Sequence, residues 1–164
     1  MKKILILIAL LISVNLFSQI KVLKVVDDMS DLVFYVPSKN ILIIEGESGM
    51  SISVHLGSKN TFEFLTVTSV GTGSCIEDAT LIIQFVNGEK IEAKSWNDFN
   101  CEGNSYFNID NTTLLQNEPL NKIRITNGRT FKSITFVIPD EDKNYFIELF
   151  KAIKSGITTT IKDE

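Results

Sequence analysis

Turn-forming residues interrupt this chain at short intervals, and that spacing restricts it to a fold built mainly from short β-strands. Gly, Asn, Ser and Asp separate runs of four to seven residues that are rich in Ile, Val, Thr and Phe. Branched and aromatic residues in runs of this length are typical of strands. Ten strands are expected, at residues 20–26, 32–36, 41–45, 51–56, 61–67, 81–86, 91–95, 106–109, 122–126 and 133–138.

Two Asn-Gly dipeptides predict tight hairpins. Asn87-Gly88 and Asn127-Gly128 each lie between apolar runs, and both residue types tolerate the positive φ that a type I′ turn requires. A two-residue turn at the second dipeptide pairs Ile125 with Thr130. In that register Ile134 lies on the same face of the hairpin as Ile125, so the apolar pattern of the two strands agrees with the turn.

One helix is expected near the C-terminus, capped by Asp140 after Pro139 and ended by Gly156. Apolar residues at spacing i, i+3, i+4 and i+7 define its buried face: Phe146, Leu149, Phe150 and Ile153. Residues 111–117 predict one further short helical turn. The predicted class is therefore α+β, mainly antiparallel β in one layer or two, with a C-terminal helix packed on the sheet.

The first 18 residues have the layout of a secretory signal peptide. Lys2 and Lys3 precede nine consecutive apolar residues, 4–12, and Ser18 offers a small residue for cleavage before Gln19. The apolar run is shorter than the roughly 20 residues of a membrane-spanning helix. Leu16 is larger than the residue usual at its place, which leaves an uncleaved N-terminal anchor as the alternative. Export to the periplasm or the extracellular space is expected.

After cleavage, residues 19–156 are expected to form a single mostly-β domain, followed by a loosely ordered tail at 157–164. Loss of Lys2 and Lys3 leaves 14 basic residues against 20 acidic ones, a net charge of −6. A surface of that charge repels phosphate backbones, so no nucleic-acid partner is expected. After Gln19 the longest apolar run is residues 32–36, and no further membrane span is expected.

The two cysteines, Cys75 and Cys101, predict a disulfide in an exported chain. A two-residue turn at Asn87-Gly88 pairs residues whose numbers add to 175, and the two cysteines add to 176. Extending the hairpin therefore brings them within about one residue of each other. Two free thiols are the alternative. A redox pair is disfavoured because the chain has no C-x-x-C motif.

The sequence predicts neither a catalytic group nor a metal site nor a cofactor. His55 is the only histidine, and its alternating segment 51–56 indicates a solvated strand residue. Asp27, Asp28 and Asp31 do not follow the spacing of an EF-hand loop, so turn or capping roles are expected for them instead of calcium binding. Gly71-Thr72-Gly73 lacks the further residues of a nucleotide-binding loop.

Residues 95–108 carry the one candidate binding segment, because aromatic and Asn side chains are concentrated there. Aromatic faces combined with amide groups are typical of sites for sugars or peptides, and a disulfide at Cys101 would hold the segment in place. The alternative is a connection whose aromatics fill the core and whose Asn residues form turns. The candidate ligand-binding residues are Trp96, Asn97, Phe99, Asn100, Asn104 and Tyr106.

The order of elements from about residue 81 to 153 resembles small exported Bacteroidetes proteins of unassigned function. The hairpin LIIQFVNG at 81–88, the strand LNKIRI at 120–125 and the segment YFIELFKAI at 145–153 carry this resemblance. The resemblance implies an architecture and an export route. It brings no catalytic residues with it.

The main functional hypothesis is an exported, non-enzymatic binding module whose partner is a protein or a glycan. A periplasmic inhibitor or protective protein acting on another protein is the second hypothesis. A hydrolase that uses two carboxylates is the third, because such a pair leaves no signature when its spacing exists only in space. A deep pocket with two carboxylates would favour the enzyme, and a flat apolar patch or open sheet edge would favour a protein partner.

Overall fold

A computed structural model describes residues 20–26, 32–73, 75–97, 99–156 and 158–162. The predicted signal peptide and the three early aspartates, Asp27, Asp28 and Asp31, lie outside these described residues. No helix in the described ranges is long and apolar enough to cross a membrane.

The described chain is mostly antiparallel β with few helices, as the sequence predicts. Eleven strands are observed: β1 Val22–Val26, β2 Val33–Pro37, β3 Ile41–Glu45, β4 Ser48–Leu56, β5 Phe62–Val70, β6 Thr80–Phe85, β7 Lys90–Lys94, β8 Asn104–Asn108, β9 Leu120–Thr126, β10 Ser133–Val137 and β11 Thr158–Lys162. The helical segments are α1 Thr113–Asn117, a 3-10 turn at Asp140–Asp142 and α2 Tyr145–Ser155. The ten predicted strands are all present; the strand at 41–45 has the predicted bounds, and no end of the others is shifted by more than three residues.

The strands form two sheets. The larger sheet has the order β11-β1-β2-β4-β5-β8, with β3 also paired to β4, and the smaller has the order β10-β9-β6-β7. All pairs are antiparallel except β1 with β11. An isolated bridge between Ser95 and Phe107 connects β8 of the larger sheet to the chain just after β7. The candidate segment therefore begins where the two sheets meet.

Alternate residues of both sheets point into one hydrophobic cluster. Leu65 of β5, Phe107 of β8, Ile83 of β6 and Ile123 of β9 are all fully buried in it. Helix α2 adds Phe146 and Leu149, and the ring of its Phe150 lies 5.6 Å from that of Phe62. Burial of each such side chain is worth about 1.5–3 kcal/mol, so this cluster fixes which face of each strand looks outward.

The first hairpin differs from the predicted type I′ turn. The Gly88 amide donates to the Phe85 carbonyl at 3.0 Å, and Gly88 has a φ of +89° while Asn87 does not have a positive φ. This is the geometry of a type I turn followed by a left-handed residue in a G1 bulge. Gln84 consequently pairs with Lys90, one residue off the predicted register.

The second hairpin also has a longer loop than predicted. Ile125 pairs with Ile134 and not with Thr130, so the connection spans residues 127–132. Asn127 is buried and donates its side-chain amide to the Cys75 carbonyl at 2.7 Å, which removes it from the tip of a turn. The observed register differs from the predicted one by four residues. Because side chains alternate between faces with a period of two, this even shift leaves the predicted apolar residues on the same face.

The C-terminal helix begins later than predicted. Asp140 does not cap it, because Asp140–Asp142 form a 3-10 turn and α2 starts at Tyr145. Asp142 is buried and forms an ion pair with Lys39, which ties this segment to the loop between β2 and β3. The predicted end at Gly156 is confirmed, with a φ of +65°.

The chain after Gly156 was expected to be a loosely ordered tail, and that prediction is wrong for residues 158–162. They form β11 and pair in parallel with β1, from Val22 with Thr158 to Val26 with Lys162. Three consecutive threonines begin this strand, and Thr is a β-branched residue that favours extended backbone. The pairing protects one edge of β1.

Candidate functional site

The predicted disulfide is present and anchors the candidate segment. Cys75 and Cys101 are bonded, and the neighbouring residues Ile76 and Asn100 form an isolated antiparallel bridge with N···O distances of 2.7 and 3.1 Å. The pairing of β6 with β7 ends at Thr80 with Lys94. After a gap, Ile76 pairs with Asn100, and these two residues adjoin the two cysteines. The covalent bond closes the base of this long hairpin.

Asn97 and Asn100 hold the segment to β8. The Asn97 side chain accepts from the Tyr106 amide at 2.9 Å and donates to the Asn104 carbonyl at 3.2 Å. The Asn100 side chain donates to the same carbonyl at 2.7 Å and accepts from the amides of Glu102 and Asn104. The amides of these two predicted ligand-binding residues take the place of backbone groups in the ladder and hold Asn97 and Asn100 against β8.

Trp96 and Tyr106 come together as the sequence suggested. Their rings are stacked with centroids 5.3 Å apart and planes inclined by 29°. The Trp96 amide also donates to the Tyr106 carbonyl at 3.1 Å, so backbone and side chains fix the same arrangement. The side chain of Trp96 is 56 % exposed, and its ring is open to solvent at the surface of the larger sheet.

Two further rings complete this cluster, and neither was predicted. Phe64 meets Trp96 and Tyr106 edge-on, with centroids 5.8 and 6.1 Å away, and His55 stacks on Phe64 at 4.2 Å with planes only 11° apart. We call His55, Phe64, Trp96 and Tyr106 the aromatic patch. His55 and Phe64 are directly paired across β4 and β5, while Tyr106 faces Thr66 across β5 and β8.

Polar side chains surround the patch on the same outward face. The Thr66 hydroxyl lies 2.9 Å from His55 Nε2, and the Thr68 hydroxyl donates to Asn104 Oδ1 at 2.7 Å. Asn104 Nδ2 donates to Glu102 at 3.3 Å. The predicted residue Asn104 therefore borders the patch, two positions before Tyr106 on β8. Rings in the middle with hydroxyl and amide groups at the border can contact a ligand that is itself partly apolar and partly polar.

Phe99 does not join the patch. Its exposed ring is contacted by the Arg129 guanidinium, whose central carbon lies 5.1 Å from the ring centroid. Arg129 belongs to the loop at 127–132, so the Phe99 ring contacts that loop. Of the six residues predicted from sequence, the structure thus brings Trp96, Asn104 and Tyr106 to one surface.

The environment of His55 favours the neutral form of its imidazole. Partial burial lowers the pKa of His55 below its ordinary value, and the nearby carboxylate of Glu63 opposes this shift without reversing it. A neutral ring stacks on Phe64 without a charge to desolvate. Because its pKa is lowered, His55 contributes less positive charge to the patch at neutral pH than a fully exposed histidine would.

Apolar residues extend the same sheet face away from the patch. Leu42 and Ile44 of β3 are 63 % and 72 % exposed, and Val70 at the end of β5 is 59 % exposed. Register places Ile44 opposite Gly49, which pairs in turn with Val70, so these residues lie in adjacent strands. This second group forms an apolar area at the far end of β4 from His55.

The described residues contain no group of three His, Cys, Asp or Glu side chains placed to hold a metal ion. A hollow of about 450 Å³ lies between α2, the start of β11 and the two residues before β1, and its described lining includes a single carboxylate, Glu148. That lining does not supply the pair of carboxylates that a glycoside hydrolase uses.

Comparison of this chain with protein-family models, curated proteins and solved structures finds no match.

Proposed function

We propose that this chain is an exported, non-enzymatic binding module that holds carbohydrate on its aromatic patch. The observation that carries the proposal is the exposed ring of Trp96, stacked on Tyr106 and supported edge-on by Phe64. A sugar ring has one face of C–H groups that packs on an aromatic ring and a rim of hydroxyls that needs hydrogen-bonding partners. Thr66, Thr68 and Asn104 border the rings and supply such partners.

Rigidity of the patch supports the same proposal. Three of the rings are on strands and the fourth, that of Trp96, is on backbone hydrogen-bonded to β8. The disulfide and the amides of Asn97 and Asn100 hold the segment that carries Trp96. A surface that is ordered before binding loses little conformational entropy when the ligand arrives. We further propose two packed β layers with α2 covering their core as the scaffold that supplies this order.

Export is part of the proposal. Residues 1–18 would direct the chain out of the cytoplasm, and the bond between Cys75 and Cys101 is of a kind that persists in oxidising compartments. The resemblance to small exported Bacteroidetes proteins agrees with this route. Mass spectrometry of protein recovered from the expressing bacterium tests it, with a mature N-terminus at Gln19 as the expected result and a retained leader as the contradicting one.

Titration of Trp96 fluorescence with cell-wall glycans and neutral oligosaccharides tests carbohydrate binding directly. Trp96 is the single tryptophan of the chain, so the signal reports the patch alone. A saturable change in emission is expected, and Tyr106→Ala should weaken the affinity about tenfold because it removes the ring on which Trp96 rests.

Phe99→Ala is the matched control, because it removes an exposed ring of the same segment that lies outside the patch. It should leave the affinity unchanged. A flat emission across glycans of all compositions, from protein shown to be folded, would contradict the proposal. Equal loss of affinity in Phe99→Ala and Tyr106→Ala would place the ligand elsewhere on the segment.

A protein partner is the second candidate, favoured by the exposed apolar residues Leu42, Ile44 and Val70 on the same sheet face. Contiguous exposed apolar surface is typical of protein interfaces. In this case the chain acts as an inhibitor or protective protein. Leu42→Ser with Ile44→Ser would abolish capture of the partner and leave glycan titration unchanged, whereas Tyr106→Ala would have the opposite pattern.

A further inference from the structure

The outward face of the smaller sheet concentrates positive charge on a chain whose net charge is negative. Lys90 and Lys94 of β7 and Lys122 and Arg124 of β9 all point outward, because the residues between them belong to the buried side. Glu92 is the single carboxylate among the outward residues of the four strands, all of which are described. We call Lys90, Lys94, Lys122 and Arg124 the cationic face.

These four cations form no ion pair with an acidic side chain of the described ranges. The ion pairs there are Lys39 with Asp142 and Lys143 with Asp140, and neither involves the cationic face. Arg124 Nε instead donates to the Thr135 hydroxyl at 2.9 Å, which holds the guanidinium along the sheet. With Glu92 as their single counter-charge, these four cations leave the face with a net charge of +3, and an anionic ligand would relieve the repulsion among them.

Three of the four cations, Lys90, Lys122 and Arg124, line a shallow hollow. It has a volume of about 190 Å³ and is lined by Ile82, Gln84, Lys90, Lys122, Arg124 and Thr135. Gln84 pairs with Lys90 on one side and Lys122 on the other, so these two charges stand about 10 Å apart at their Cα atoms. Lys122 and Arg124 alternate along β9 and are about 7 Å apart. The charges therefore form a two-dimensional array with polar groups between them.

From this arrangement we infer that the cationic face binds an acidic polysaccharide, whose sugars carry carboxylate or sulfate groups. The cations match the charged groups of such a polymer. Gln84 and Thr135 inside the hollow, and Thr80, Thr126 and Ser133 beside it, match its hydroxyls. The site lies on a different sheet from the aromatic patch, so the inference does not depend on the proposed function.

The same observations disfavour two other polyanions. The outward residues of the four strands include no aromatic ring, and stacking on such rings is how single-stranded nucleic acids are usually held. Insertion into an anionic membrane needs a group of projecting apolar side chains, whereas Ile82 at the centre of this face is surrounded by Gln84, Arg124 and Thr135, and the exposed Val137 lies on the edge strand β10. Sugar hydroxyls fit these polar groups better than either alternative.

Binding of fluorescent alginate, a carboxylate polysaccharide, tests the inference at low and moderate salt. The intact chain should bind alginate and lose affinity as salt is raised, because exposed charge pairs are screened. The pair of substitutions Lys122→Ala with Arg124→Ala should weaken binding about tenfold. Glu92→Gln should strengthen it, since it removes the one negative charge from the face.

The pair Lys59→Ala with Lys151→Ala is the charge-matched control, because it removes two exposed cations that lie outside the cationic face, in the turn between β4 and β5 and on α2. It should bind alginate as the intact chain does, and so should Tyr106→Ala. Absence of alginate binding at low salt would overturn the inference, as would equal affinity of the double variant. Tighter binding to duplex DNA or to phosphatidylglycerol vesicles than to alginate would also overturn it.

Discussion

Single side chains of this protein have roles that their position in sequence does not reveal. Asn127 looks like half of a tight turn, yet it is buried and donates to the Cys75 carbonyl. Asn97 and Asn100 look like ligand-binding amides, yet both are hydrogen-bonded to β8. An Asn side chain carries the same donor and acceptor as a peptide group, so only the three-dimensional neighbours decide whether it binds backbone or ligand.

His55 and Phe64 show the opposite case, because nothing in the sequence pattern joins them to Trp96. They come from β4 and β5, some 30 residues or more from Trp96 in the chain, and the register among β4, β5 and β8 brings them together. The alternation of residues 51–56 did predict that His55 faces outward. What it could not provide was the identity of the residues on neighbouring strands.

At the residue scale, the lowered pKa of His55 predicts a pH dependence of stability. The unfolded chain binds a proton at His55 near pH 6.5, while the folded chain binds it only at lower pH. The His55 contribution to the free energy of unfolding is therefore fully present above about pH 6.5 and is lost as pH falls through the folded pKa.

Urea unfolding of the intact chain and of His55→Gln, at about pH 7.5 and about pH 5.5, measures this effect. The intact chain should lose more stability than His55→Gln on acidification. Equal losses in the two proteins would contradict the proposed neutral stacking of His55 on Phe64.

At the element scale, the strand pattern was predictable and the connections were not. Alternation of apolar residues depends on the two-residue repeat of a strand, so the ten strands and their buried faces could be inferred locally. Turn geometry depended on distant contacts, as at residues 127–132. β11 was missed because its edge pairing depends on β1, more than 130 residues earlier in the chain.

Gly128 illustrates how a turn signal can have a different cause. It does not have a positive φ, but a Cβ at this position would lie 2.4 Å from the Asp78 carbonyl oxygen and 2.8 Å from that of Glu77. Its amide donates to the Glu77 carbonyl at 2.9 Å. Glycine is needed here because two backbone segments approach closely.

Gly128→Ala is therefore expected to destabilise the fold by about 1–3 kcal/mol, because backbone must move to admit the methyl group. Gly46→Ala is the control: Gly46 has a φ of +62°, and a Cβ added there would meet no atom within 4 Å, so it should cost only about 1 kcal/mol. Urea denaturation measures both. A smaller effect at Gly128 than at Gly46 would contradict the close approach.

At the scale of the whole molecule, two outward sheet faces have different chemistry. The larger sheet presents uncharged aromatic and apolar groups, and the smaller sheet presents the cationic face. Net charge alone predicted an acidic surface and did not reveal this separation. Successive side chains of a strand point to opposite faces of the sheet, and the pairing register places the outward side chains of neighbouring strands side by side. The separation of charged from uncharged groups follows from these two facts.

The disulfide links the stability of the molecule to the aromatic patch. Replacement of Cys75 and Cys101 by Ser should lower the free energy of unfolding by about 3 kcal/mol, as expected for a bond that closes a loop of 26 residues. Because the same bond anchors the segment that carries Trp96, glycan affinity should also fall under conditions where the variant is folded. Unchanged affinity in the folded variant would show that the Asn97 and Asn100 contacts position Trp96 without the bond.

The most direct test of carbohydrate binding is NMR mapping with isotope-labelled protein and an oligosaccharide that changes Trp96 emission. The largest shifts should fall on the Trp96 indole N–H and on the amides of His55, Phe64 and Tyr106, with the cationic face unchanged by a neutral sugar. Shifts centred on Leu42 and Ile44, or spread without focus over both sheets, would contradict the assignment of the aromatic patch as the carbohydrate site.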